Sequence, residues 1–208
     1  DDCDKDKDLA YKINVSATKI LAKLSLKYFV KRFILSSTSA VYYQNEFVPI
    51  KENEHTNPTS YYGNTKLEAE NYLMGLTSLS TVILRIFNIY GDSFDSSLIN
   101  KLLKSSKAKV VSIIKPNNYY RDYIYYKDVI NVIAKAVSAK IKKDKIIVNV
   151  ASGKATSTSG LIKELSKEKR LFYKKVKSDN TLDLFWADIN NLKKYIKYTP
   201  SKKIVISD

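Results

Sequence analysis

Two stretches constrain this chain more than anything else in it. Phe33-Ile34-Leu35-Ser36-Ser37-Thr38 is an apolar run that ends in hydroxyls, and Asn57-Pro58-Thr59-Ser60-Tyr61-Tyr62-Gly63-Asn64-Thr65-Lys66 opens a helix-like segment further on. A short apolar run reads as a buried strand, and a hydroxyl at the carboxyl end of a parallel strand lies where open α/β sheets bind ligands. Tyr62 and Lys66 are four apart, so on a helix they share one face. A phenol ionises near pH ~10, and an ammonium beside it favours the phenolate. Hydroxyl, phenol and ammonium together suit removal of a proton from a substrate alcohol.

Spacing alone does not single out that pair. Tyr-x-x-x-Lys occurs at Tyr62–Lys66, Tyr123–Lys127, Tyr173–Lys177 and Tyr198–Lys202. Composition alone predicts about 2.5 occurrences, so context must decide. Only Tyr62–Lys66 follows a hydroxyl-ended strand and begins a helix-like segment.

Apolar spacing at Leu9, Ile13, Ile20, Leu21, Leu24 and Tyr28 predicts a helix over 9–28, and the pattern predicts a strand over 29–37. Further helices are expected over 61–76, 97–107, 127–141, 158–168 and 189–195. Strands are expected over 81–87, 110–114, 146–150 and 171–176. Strands alternating with helices imply a parallel sheet with right-handed crossovers. The predicted class is therefore α/β, with 33–37, 81–87 and 146–150 as parallel neighbours.

At 208 residues and 44% hydrophobic, the chain can fill a core. No apolar run approaches 18 residues, so no membrane span is predicted. The single cysteine, Cys3, permits no internal disulfide, and a reduced, cytoplasmic setting is the default expectation. A net charge of +15 invites a nucleic-acid reading. Against it, only four of the 36 basic residues are arginines, and the lysines are scattered, so no specific nucleic-acid partner is expected. His55 stands in a polar loop without a cluster of histidines or cysteines, so no metal site is expected.

The wording and order of these segments resemble the extended short-chain dehydrogenase/reductase family, the NAD-dependent nucleotide-sugar epimerases and dehydratases. The resemblance runs through Leu84-Arg85-Ile86-Phe87-Asn88-Ile89-Tyr90-Gly91 and Arg121-Asp122-Tyr123-Ile124-Tyr125-Tyr126-Lys127-Asp128-Val129. It closes with Val148-Asn149-Val150-Ala151-Ser152-Gly153 and Phe185-Trp186-Ala187-Asp188-Ile189. By that resemblance Thr38 bonds the reacting sugar oxygen, Tyr62 is the catalytic base, and Lys66 lowers the Tyr62 pKa and binds the nicotinamide ribose. Asn88 and Arg121 would bind the substrate diphosphate. Asp122 and Asp128 would be structural, Trp186 would belong to a core, and Asp188 would cap a helix. NAD or NADP would be the cofactor, and a nucleotide-diphosphate sugar the ligand.

The resemblance also implies a division. Residues 1–91 and 121–153 would form a partial Rossmann-like, doubly wound domain, and 92–120 and 154–208 a small substrate-side lobe. The family opens with a strand and a Gly-rich turn whose amides hold the dinucleotide pyrophosphate. The five glycines here, Gly63, Gly75, Gly91, Gly153 and Gly160, lack that spacing. The family's first strands are therefore expected to be missing, with Asn14 standing in the family's fourth crossover helix. A missing N-terminal half or a homodimer partner is an expected complement. The chain alone is expected neither to bind NAD usefully nor to be active.

Several positions depart from the family pattern. Tyr43 stands where glycine is usual, Tyr125 replaces a frequent histidine, and Asn117-Asn118-Tyr119-Tyr120 replaces a Gly-rich approach to Arg121. Lys177-Ser178-Asp179-Asn180 replaces a common Arg-x-Gly-Asp, which weakens the expectation of a second diphosphate clamp. The dehydratases usually carry Asp-Glu after the threonine, whereas this chain has Ser39-Ala40. That favours 4-epimerase chemistry over dehydration but does not separate epimerase from ketoreductase. A non-catalytic remnant or sugar-nucleotide binding module is the alternative from another class.

Overall fold

The computed structural model describes residues 2–43, 48–92, 94–114, 117–176 and 181–204. The chain enters through α1 (Asp2–Lys5), α2 (Lys7–Tyr11) and α3 (Ala17–Lys27). A π-type turn, Lys12–Ser16, joins the last two, with the Ala17 N–H reaching back to the Lys12 carbonyl. Then come β1 (Phe33–Thr38), α4 (Tyr61–Gly75), β2 (Thr81–Ile86) and β3 (Asn88–Tyr90). The middle of the chain forms α5 (Leu98–Leu103), β4 (Val111–Ile114), β5 (Tyr119–Arg121), β6 (Tyr123–Tyr125) and α6 (Tyr126–Ser138). It ends with β7 (Lys145–Val150), β8 (Thr156–Ser157), α7 (Thr158–Leu165), β9 (Tyr173–Val176), β10 (Asp183–Phe185) and a π turn, Leu192–Ile196.

The three long strands pair as predicted, in the order β1-β2-β7 and all parallel. Alternate side chains of a strand point to opposite faces. On β2, Val82 and Leu84 enter a core with Val129, Val132 and Ala136 of α6 and with Leu192 and Ile196. Ile83 enters another, with Leu35, Ala22 of α3, and Ala69 and Leu73 of α4. A strand covered on both faces has no polar side to show, which is why 81–84 is buried throughout.

The first helical segment forms, but with its faces reversed. The residues whose spacing suggests a core side, Ile13, Ile20, Leu21 and Leu24, are exposed, while Ala10, Val15, Thr18 and Ala22 are buried. Small residues allow helix α4 to come close, so packing distance decides the face here and hydrophobicity does not.

A further core gathers Tyr90, Ile99, Leu102, Ile113, Tyr123, Leu161 and Leu165 beside the central sheet. Around it lie the parallel pairs β3–β6 and β4–β9, and β5 between β10 (parallel) and β8 (antiparallel). Chain entry depends on Gly91, whose φ of 111° lies in the left-handed region. The Asn100 side chain fixes that bend by bonding both the N–H and the carbonyl of Gly91. Strands of two or three residues, such as β3, β5, β6, β8 and β10, leave no period in a sequence and are not anticipated by it. The helix expected over 97–107 is shorter, and the one expected over 189–195 forms over 190–196, ending in the π turn Leu192–Ile196.

One polar network crosses the central sheet. Arg85 sits on the middle strand β2, and its Nη2 lies 2.7 Å from Oε2 of Glu70 on α4, with both side chains almost fully buried at 4% and 2% exposure. Arg85 Nε donates to the same carboxylate at 3.1 Å. The Ser37 hydroxyl on β1 donates to its other oxygen. The Arg85 guanidinium stacks over Tyr42 at 4.7 Å, and the Tyr42 hydroxyl donates to Asn149 Oδ1 on β7 at 2.6 Å. Removing one partner of a buried ion pair leaves the other charge uncompensated, at a cost of about 3–5 kcal/mol. Glu70→Gln is therefore expected to lower unfolding stability by that amount in urea melts, with Glu70→Met/Arg85→Met recovering much of it. A change within about 0.5 kcal/mol, as for ordinary surface substitutions, would show the pair is not structural.

Candidate active site

The site grows from the end of β1. Thr38 is the last residue of the strand, and its hydroxyl accepts from the Ala40 N–H at 3.2 Å in the turn that follows. Helix α4 must start close to that turn. Ser60 caps it, accepting from the Gly63 N–H at 3.0 Å. Gly63 permits the approach: a Cβ there would lie 2.5 Å from the Ala40 carbonyl oxygen and 2.8 Å from the Pro58 Cβ. Any side chain would push α4 away from β1. The first turn is fixed again by Asn14 in the π turn, whose Nδ2 donates to Thr65 Oγ1 at 3.1 Å, while Thr65 donates to the Tyr62 carbonyl at 2.9 Å.

This geometry separates the two neighbouring phenols. Tyr61 turns toward α2, donating to the Lys7 carbonyl at 3.2 Å. Tyr62 turns into a cavity of about 830 Å³ at the carboxyl ends of β1 and β2. Thr38, Asn88 and Arg121 line the same cavity, so four of the five sequence-predicted site residues meet there. Lys66 is not among its lining residues and stands one helical turn along α4 from Tyr62.

The electrostatics differ from the sequence-based expectation. Burial pushes the Tyr62 phenol above its ordinary value, against a hydrogen bond with Thr38 that lowers it. Burial likewise pushes the Lys66 ammonium down, against the Glu70 charge that raises it. Desolvation sets the direction of both shifts in this structure; a lowering of the phenol by the Lys66 charge stays a proposal. Tyr62 is nevertheless the second residue of α4, at the positive end of the helix, where a phenolate is favoured.

Arg121 is buried at the end of β5, with its guanidinium 3.5 Å from the Tyr119 ring centre. Asn88 donates to the Asp122 carbonyl at 2.8 Å, which holds its side chain at the cavity wall. Asp122 itself is structural, as expected. Its carboxylate accepts from Ser152 N and Oγ and from the Gly153 and Ala187 N–H groups, and burial raises its pKa to about 6. Asp128 accepts from the Tyr198 hydroxyl at 2.5 Å. Of the other Tyr-x-x-x-Lys tyrosines, Tyr123 reaches the cavity wall, but Lys127 lies over the Tyr125 and Tyr126 rings.

Sequence reasoning missed Glu70, Tyr119 and Asp183. Glu70 had a signal, since a carboxylate four residues after Lys66 shares its face and Arg85 is a lone charge in an apolar strand. The expectation at Lys177–Asn180 falls outside the described residues. No metal-binding cluster occurs among the described residues, and no described helix is long and apolar enough to cross a membrane.

A parallel sheet with a Thr–Tyr site at its carboxyl edge defines a Rossmann-like α/β protein of the short-chain dehydrogenase kind. Residues 1–151 match the model of the NAD dependent epimerase/dehydratase family, and the chain belongs to that family. A Methanocaldococcus jannaschii protein provisionally named UDP-glucose 4-epimerase is 32% identical over 161 residues, which is 72% of this chain and 50% of the relative. UDP-N-acetylglucosamine 4-epimerase from Methanobrevibacter ruminantium, solved with UDP-N-acetylmuramic acid, superposes with a TM-score of 0.80 at 28% identity, covering 92% of this chain and 64% of that one. UDP-glucuronic acid 4-epimerase from Bacillus cereus, solved with NAD, gives 0.79 at 25% identity, covering 91% and 63%. The chain spans about half the length of the first curated relatives it matches.

Proposed function

We propose that this chain carries the proton-transfer and substrate-holding part of an NAD-dependent nucleotide-sugar 4-epimerase. One observation carries the reading: Thr38, Tyr62, Asn88 and Arg121 line a single cavity of about 830 Å³, a size suited to a small-molecule ligand. The solved neighbours bound to UDP-sugars and NAD support the substrate and cofactor classes.

In this reading the sugar 4-hydroxyl lies between Thr38 and Tyr62. Thr38 holds its oxygen, and the Tyr62 phenolate accepts its proton and later returns one. Asn88 and Arg121 hold the diphosphate, which anchors the nucleotide while the 4-keto sugar turns over. NAD, when bound, supplies hydride transfer at C4. The residues present fit only one end of that cofactor. Lys66 and Tyr62 would face its nicotinamide ribose, but the chain's glycines serve other purposes, Gly63 the helix approach and Gly91 the left-handed bend. β1, beside which a dinucleotide crevice would form, is an edge strand among the described residues. That favours the binding-module alternative for the chain by itself.

The two-part division, 1–91 with 121–153 and 92–120 with 154–208, stays a proposal. The separate core around Leu102 and Leu161 supports it, whereas Ala187, Ile189, Leu192 and Ile196 pack on the central sheet and argue that the segment holding them belongs with the sheet domain and not with the lobe.

Three outcomes are expected. Calorimetric titration of the 208-residue chain with NAD should show no micromolar site, and finding one would contradict the partial-cofactor-site reading. In a protein complemented with the family's first half, Tyr62→Phe should lower turnover of a UDP-hexose by the ~10²–10⁴-fold typical of general acid–base groups. Lys66→Met should shift the activity profile to higher pH, because the ammonium would no longer favour phenolate. Activity within about tenfold of the parent for Tyr62→Phe would return the chain to the binding-module reading.

A further inference from the structure

Arg121 does not face the cavity as a free cation. Its Nη1 donates to Asp183 Oδ1 at 2.8 Å and its Nη2 to Oδ2 at 3.0 Å, a two-point pairing of fork to carboxylate. Nη1 also donates to the Tyr120 carbonyl at 2.8 Å. Tyr119 covers the guanidinium face at 3.5 Å, and the Phe185 ring centre lies 5.6 Å away. The pair is well buried, with side-chain exposures of 9% and 20%. Backbone register creates it: β10 runs parallel to β5, with Asp183 opposite Tyr119 and Phe185 opposite Arg121. Both Arg121 and Asp183 line the cavity, and among its described lining residues they are the formal charges, one of each sign.

A carboxylate on both terminal nitrogens of an arginine has the geometry with which two phosphate oxygens would approach. We propose that Asp183 is the residue that sets anion affinity in this cleft: its carboxylate holds the Arg121 fork, and a diphosphate gains that fork only in competition with it. The proposal deepens the nucleotide-sugar reading and rests on it for the identity of the anion. Its consequence is a gain on substitution. Removing the Asp183 charge removes a like-charge repulsion against an incoming diphosphate and leaves the buried Arg121 in need of an anion.

The test is calorimetric titration of the 208-residue chain with inorganic pyrophosphate, free of any cofactor or turnover. Asp183→Asn should bind pyrophosphate roughly tenfold tighter than the parent or better, tenfold being about 1.4 kcal/mol. Adding Arg121→Gln to it should abolish the gain. A purely structural aspartate would give no gain, so equal or weaker binding by Asp183→Asn overturns the proposal. So does a gain that survives the double substitution, or no pyrophosphate binding by either protein. Asp183→Ser is the second variant should Asp183→Asn lose its far-ultraviolet circular dichroism. If both unfold, the carboxylate is a structural tie and the proposal falls. The readout is independent of Tyr62, so either reading can fail while the other stands.

Discussion

The Glu70–Arg85 ion pair is the contact on which the site depends. A helix packed on a sheet through Ala69 and Leu73 could slide or turn by a fraction of a residue at little cost. A fully buried carboxylate held by a guanidinium on β2 and a hydroxyl on β1 cannot, because each of those groups would lose its partner. The pair therefore registers α4 against both strands at once. Gly63 sets the other coordinate, the closeness of the helix start to the β1 end. Together they place the Tyr62 phenol at the mouth of the strands, with Thr38 beside it. Lys66 stands between Tyr62 and Glu70 on the same helix and feels the Glu70 charge.

The legible part of this fold is what has a period or a residue with few roles. The three parallel strands showed as short apolar runs, most completely at β2, whose two faces are both covered. Tyr62 was separable from Tyr61 by its lysine four residues on, and the structure separates them by orientation. What was not legible depended on distance between elements. The outer face of α3 could not be told from the inner one, since Ala22 and Thr18 were chosen for closeness and Ile20 and Leu24 for a surface that the described residues leave exposed. The strands β5 and β10 are three residues each, and nothing local announces that their pairing sets Asp183 against Arg121. The upward push of burial on Tyr62 was not legible for the same reason. Sequence spacing shows a nearby charge but not how much water the fold removes.

The cavity joins two differently built walls. One is the carboxyl edge of the central sheet, rigid and tied by the Arg85 network through Tyr42 to Asn149 on β7. The other comes from short strands and α5, held by Asp122 and by Asn100 at Gly91 rather than by long ladders. In the proposed reading, chemistry at C4 of a sugar would use the first wall, and recognition of the sugar and nucleotide would fall to the second.

The most direct measurement is a crystal structure of the chain, or of its complemented form, with UDP-glucose. The account predicts the sugar O4 within hydrogen-bond reach, about 2.6–3.2 Å, of both Tyr62 Oη and Thr38 Oγ1, with the diphosphate at Arg121 and Asn88. A sugar bound elsewhere, with the Glu70–Arg85 pair intact and Tyr62 facing a cleft that stays free of ligand, would contradict it.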